Sequence, residues 1–162
     1  MAATLIFGAA LFLAAALQTA LFRHLQLPGG VPDLVVVLIV SIGLTRGAPA
    51  GVGAGLFGGF LRAAALEGTP FGGLLVSHML VGYLAGKLRG RVFADRLVVV
   101  VLVAAVAVAF SELVQFVFRP PPDVLSWMAR TAVAIAYSVI VAPLVHAFVR
   151  LVNLRFPSPL GE

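Results

Sequence analysis

The sequence contains no cysteine, so neither a disulfide framework nor a thiolate metal site is available and the redox compartment stays open. Charge is scarce as well: Asp, Glu, Lys and Arg make up 10% of the 162 residues, against about 25% in an ordinary soluble domain. The chemical signatures of catalysis are missing. There is no His-Glu-x-x-His, no Gly-x-Ser-x-Gly, no phosphate-binding loop and no cluster of carboxylates. Ser77 and His78 are neighbours in sequence, and on a helix neighbours point to different faces, which argues against a nucleophile and its base. The expectation is a chain without enzymatic activity, metal or cofactor. No internal repeat of 20–50 residues is evident either.

Apolar residues dominate. The chain is 62% hydrophobic with a mean hydropathy of +1.14, the composition of an integral membrane protein. The net charge of +5 would suggest nucleic acid on a soluble domain. Here the basic residues sit mostly at segment ends, where anionic headgroups of membrane lipids account for them and no nucleic acid is needed. The N-terminal apolar run lacks a basic n-region and a small-residue cleavage site, so it reads as a retained span and not a signal peptide.

Hydropathy and turn residues predict one transmembrane domain over 1–162, an all-α bundle of about six helices at 5–22, 31–48, 50–66, 71–86, 97–118 and 127–149. The second segment is the ambiguous one. Its apolar run, Val31 to Leu44, makes roughly 21 Å of helix, short of the roughly 30 Å hydrocarbon core and open to a re-entrant reading. With Asp33 and Arg46 snorkelling at its ends it can span, and the span is preferred. Arg119-Pro120-Pro121-Pro122-Asp123 is a stiff loop. Trp127 opens the last span near an interface, and the tail from Arg150 is expected to be loosely ordered.

Orientation follows from the basic residues. With both termini cytoplasmic, the inner segments hold Arg46, Lys87, Arg89, Arg91, Arg96, Arg150 and Arg155 and the outer ones Arg23, Arg62, Arg119 and Arg130. That asymmetry obeys the positive-inside rule, and Lys87, Arg89, Arg91 and Arg96 form a cytoplasmic basic loop. If the second segment is re-entrant the N-terminus flips outside, while the basic loop stays inside.

Two groups of residues stand out as candidate interaction sites. Gly51, Gly55 and Gly59 repeat at four-residue spacing, and so do Gly82, Gly86 and Gly90. Each series presents a strip of bare backbone on one helix face, suited to packing within the bundle or to docking a partner's helix. The second group is ionisable. Arg62, Glu112 and Arg130 fall at similar depth near the outer ends of their spans. Charge in hydrocarbon costs several kcal/mol unless paired or wetted, so the expectation is an outer polar cluster linking spans three, five and six. It serves either as a structural ion pair or as a pocket for a partner or lipid headgroup.

The order of these motifs resembles a known family. Pro32-Asp33-Leu34 opens an apolar run ending Leu44-Thr45-Arg46-Gly47; the ladder Gly51 to Gly59 follows, then Gly68-Thr69-Pro70-Phe71-Gly72, Val81-Gly82-Tyr83-Leu84-Ala85-Gly86 and the basic loop. This is similar to the rod shape-determining protein MreD family, and Glu112 in the fifth span also fits. The match is good over roughly residues 30 to 118. Arg62 departs from the family, which often carries an acidic residue there. The resemblance implies a non-enzymatic scaffold of the bacterial elongation (rod) machinery in the inner membrane, supporting cell shape and peptidoglycan synthesis. Its implied partners are MreC, RodA with a class B penicillin-binding protein, and MreB filaments indirectly. MreD-like chains also resemble the substrate-binding subunits of energy-coupling-factor transporters. A vitamin-binding membrane subunit of that type is therefore the alternative.

Overall fold

The computed structural model describes residues 2–24, 30–65, 71–89 and 97–156. Among these residues it is all-helical: α1 (Ala2–His24), α2 (Leu34–Arg46), α3 (Ala48–Ala65), α4 (Phe71–Leu88), α5 (Leu97–Phe118) and α6 (Val124–Arg155). Helices α1, α4, α5 and α6 are long and apolar enough to cross a membrane. Helix α2 is too short for that class, and α3 is diluted by Gly51, Gly53, Gly55, Gly58 and Gly59.

The bundle is organised around α2. Every residue from Leu34 to Leu44 is buried, and the helix packs against each of the other five. Its sequence, Leu-Val-Val-Val-Leu-Ile-Val, would favour a strand in water. Surrounded by apolar helices it has no strand to pair with, and only a helix satisfies its backbone internally. A helix apolar on all sides belongs in the centre of a bundle. A centre helix touches little lipid, so its length need not match the bilayer.

Outward faces are as apolar as the core. Leu97, Val98, Leu102, Val106 and Val117 of α5 and Leu125, Ile140, Leu144 and Leu154 of α6 are all exposed. Such a continuous apolar exterior is suited to lipid, not water.

The connections explain the packing. A single residue, Gly47, joins α2 to α3; its φ of +88° lies in the left-handed region, open to glycine without a Cβ clash. Its N–H donates to Gly43 O at 2.8 Å and its carbonyl accepts from Gly51 N–H at 3.0 Å. The reversal is thus hydrogen-bonded on both sides. At the same end of the bundle Arg46 ties three helices together. Its Nε donates to Asn153 Oδ1 at 2.5 Å, a terminal nitrogen donates to Phe156 O at 2.9 Å, and the guanidinium lies over the Phe7 ring at 4.8 Å. Arg46 therefore acts as a staple between α1, α2 and α6 and not as a snorkelling end.

Helix α6 corrects the expected tail. It continues through Arg155, where the sequence suggested a loose end from Arg150. Residues 150–155 contain no breaker, and Leu and Arg are good helix formers, so a charge near the membrane edge does not stop the helix. The break comes before Pro157, where the residue preceding a proline is pushed out of helical conformation.

Candidate functional site: a glycine seam and a charged cavity

The two glycine ladders meet each other. A Cβ added to Gly51 would overlap the Gly82 carbonyl, and one added to Gly82 would overlap the Gly51 carbonyl. Gly55 faces the backbone of His78 and Met79, and Gly86 faces Ala48. Helix α2 joins the same seam through Gly43, where a Cβ would stand 3.0 Å from both Gly82 O and Gly86 N. These faces are filled within the chain, backbone on backbone. Gly59 is less constrained, with its nearest neighbour, Leu74 O, at 3.0 Å, and Gly53 has nothing within 4 Å. Beyond the seam, Lys87 Nζ lies 5.1 Å from the centre of the Tyr83 ring, and Arg89 packs over Gly47. Arg91 and Arg96, like Gly90, lie outside the described residues.

At the other end of the bundle, the shortness of α2 has a consequence. Helix α6 begins well above the N-terminus of α2: Ser138, fourteen residues into α6, accepts the Asp33 N–H at 2.8 Å. The space over that N-terminus is a cavity of about 410 Å³ bordered by α1, α3, α5 and α6. Asp33 forms its floor. The carboxylate caps α2 by accepting Val36 N–H at 3.0 Å and forms an ion pair with Arg62 at 2.8 Å. Gln18 of α1 reaches the next free donor, Val35 N–H, at 3.5 Å. The orphan N–H groups of a helix start are thus met by side chains, as a buried terminus inside a membrane bundle requires.

Arg62, Glu112 and Arg130 all line this cavity. The ion pair at its floor, however, runs from Arg62 of α3 to Asp33, not to α5 or α6. The sequence reading placed Asp33 as a snorkelling residue; it is 4% exposed, because α2 starts deep in the bundle and its charge is answered by Arg62. Glu112 faces the indole N–H of Trp127, whose ring packs on Phe116 with centroids 4.8 Å apart.

Beside the cavity a polar strip runs from α5 to α4, a connection between Gln115, Ser111, Ser77 and His78 that their sequence positions do not reveal. Gln115 Nε2 donates to Ser111 Oγ at 3.4 Å, and Ser111 Oγ donates to Ser77 Oγ at 3.4 Å. Ser77 and His78 do touch, Oγ to Nδ1 at 3.1 Å, contrary to the expectation that they point apart. Both fold back onto one carbonyl, Leu74 O, three and four residues earlier. A carbonyl only accepts, so Nδ1 carries the proton and is not a base for Ser77. Both residues are fully buried, and it is the Ser111–Ser77 hydrogen bond that joins α5 to α4.

A family model described as rod shape-determining protein MreD matches residues 2–152. The chain belongs to that family. It matches no curated protein and no solved structure. Family membership carries a role in rod shape determination, and the apolar helices are those of a membrane protein.

Proposed function

We propose that the chain is a non-enzymatic scaffold of the bacterial rod machinery, seated in the inner membrane with six spans and both termini in the cytoplasm. It would bind MreC and, with it, support RodA, a class B penicillin-binding protein and, indirectly, MreB filaments in peptidoglycan synthesis. The observation that carries this reading is the family match over nearly the whole chain. The architecture is compatible in a specific way: Gly51, Gly55, Gly82 and Gly86 pack against backbone inside the bundle, which leaves the apolar outer faces of α1, α5 and α6 for partner helices. Co-purification in mild detergent with an MreC-like single-span protein tests it. The expected result is a stable complex, together with loss of rod shape on deletion. No complex and normal shape after deletion would overturn it.

The charged cavity favours a second reading, a subunit that binds a small vitamin-like molecule for an energy-coupling-factor transporter. Saturable thermal stabilisation by such a compound would support that reading, and its absence across a vitamin panel would remove it.

A further inference from the structure

The cavity over α2 contains two sets of charges that are not equivalent. The floor pair, Asp33 and Arg62, is closed on itself at 2.8 Å and has no net charge to offer. Higher up, Glu112 of α5 and Arg130 of α6 line the same space, and among the described residues neither is in an ion pair. The Arg130 guanidinium, and the acceptor positions that Glu112 keeps beyond the Trp127 indole N–H, therefore remain for an occupant. Beside them Thr131 Oγ1 is buried and has no hydrogen-bond partner among the described residues, although it lines the cavity. An unanswered buried hydroxyl is costly, and a bound polar group removes that cost.

The open groups specify the occupant. A guanidinium selects phosphate or carboxylate oxygens. A carboxylate beside a hydroxyl selects N–H donors, hence a primary ammonium. A quaternary ammonium would need an aromatic cage, but the one indole at the site, Trp127, already packs against Phe116. Exposed Val124 and Met128 lie seven and three residues before Thr131, on the Thr131 side of α6, so an occupant with acyl chains can leave them along the outside of the bundle there. We propose that this cavity is a binding site for a phosphoethanolamine group, its phosphate on Arg130 and its ammonium on Glu112 and Thr131, presented as the head of a membrane lipid.

The test uses the full chain purified in detergent, with thermal unfolding followed as short-chain lipids are added. Dioctanoyl phosphatidylethanolamine should raise the melting temperature saturably, and the matching phosphatidylcholine and phosphatidylglycerol should do so less. Arg130 is at the exposed rim, so Arg130→Gln should keep the unliganded melting temperature while weakening the response to phosphatidylethanolamine about tenfold, the scale of one lost charge-assisted hydrogen bond. Glu112→Gln should abolish the preference over phosphatidylcholine. Free O-phosphoethanolamine separates the sources: a weak effect supports the lipid, whereas stabilisation equal to the lipid's assigns the site to the soluble head and overturns the lipid. Equal shifts from all three lipids, or an unchanged response in Arg130→Gln, would overturn the site itself. None of these outcomes depends on MreC, so the scaffold reading stands or falls separately.

Discussion

The α3–α4 seam and the cavity over α2 share the same short bundle and are built from opposite materials. In the seam, side chains are absent: Gly51 and Gly82 bring two backbones together, and the attraction is dispersion and weak Cα–H contacts summed along two helices. In the cavity, side chains are long and charged, and they hold helices apart because guanidinium and carboxylate groups need room and partners. The seam fills itself and leaves nothing for a ligand. The cavity exists because α6 runs fourteen residues beyond the level at which α2 starts, roughly 21 Å of helix. In this bundle, then, the closest backbone packing falls where the side chains are smallest, and the open polar space where a helix falls short.

The most direct way to break that comparison is to fill the seam. Gly82→Leu must push α3 off α4 along its length, because the obstacle is the backbone of Gly51 and not a flexible side-chain end. Overpacking a tight core costs about 1–3 kcal/mol and occasionally more, and rigid backbone puts this site at or above the upper figure. The expected outcome is little or no monodisperse protein in size-exclusion chromatography after detergent extraction. A Gly82→Leu protein that melts with the wild type would show that the seam is not in close contact.

A smaller but still large effect is expected on the cavity side. Arg62→Ala leaves the Asp33 carboxylate buried without its partner, and breaking a buried pair in this way costs about 3–5 kcal/mol. The double variant Asp33→Asn with Arg62→Gln should recover most of the loss, since both charges are gone and an asparagine side chain at the start of α2 would still cap it. Urea or thermal unfolding in detergent reads the difference. If the double variant is no more stable than the single, the pair does not carry the floor of the cavity.

These two sites also mark how far sequence reasoning reaches. The helical membrane class was legible because apolar runs and scarce charge leave few alternatives. The glycine spacing was legible as a face, since residues four apart must share one; what it faced was not, because that depends on α4 folding back onto α3. Asp33 shows the limit best. Pro32-Asp33-Leu34 before an apolar run carries a helix-start signal, but nothing local indicates that Arg62, 29 residues away, would answer its charge. A snorkelling aspartate and a buried, paired one have the same local sequence. The central place of α2 is ambiguous for a similar reason: a short helix apolar on all sides suits the centre of a bundle and a lipid-facing position alike, and only its five neighbours in space decide.

A finer comparison lies within α3. Gly51 meets Gly82, whereas Gly53, two residues on, has nothing within 4 Å. Gly53→Ala should be neutral or stabilising by up to about 0.5–1 kcal/mol, because alanine restricts the unfolded chain and favours helix. Gly51→Ala should destabilise. Thermal unfolding of the two variants side by side gives opposite signs if one face of α3 is closed and the other open. The same sign for both would mean that helix propensity outweighs packing along the whole helix.

The smallest expected effect is at the rim, where α6 begins. Asp123 is exposed and accepts Leu125 N–H at 3.0 Å and Ser126 N–H at 3.4 Å, along with the Ser126 hydroxyl. The bonds from Ser126 come first among the causes that hold its carboxyl below the ordinary value of 3.8. A carboxyl depressed in the folded state binds its proton less readily there than in the unfolded chain. Its stabilisation is therefore full above the ordinary value and fades as pH falls through the folded one. The melting-temperature gap between wild type and Asp123→Ala should be constant from neutral pH to about 5 and should narrow only in acid below about 4. Because Asp123 faces water, salt and solvent screen the effect, and it should stay well below that of Arg62→Ala. A gap as wide at about pH 3 as at neutral pH would mean that the carboxylate form is not what caps α6.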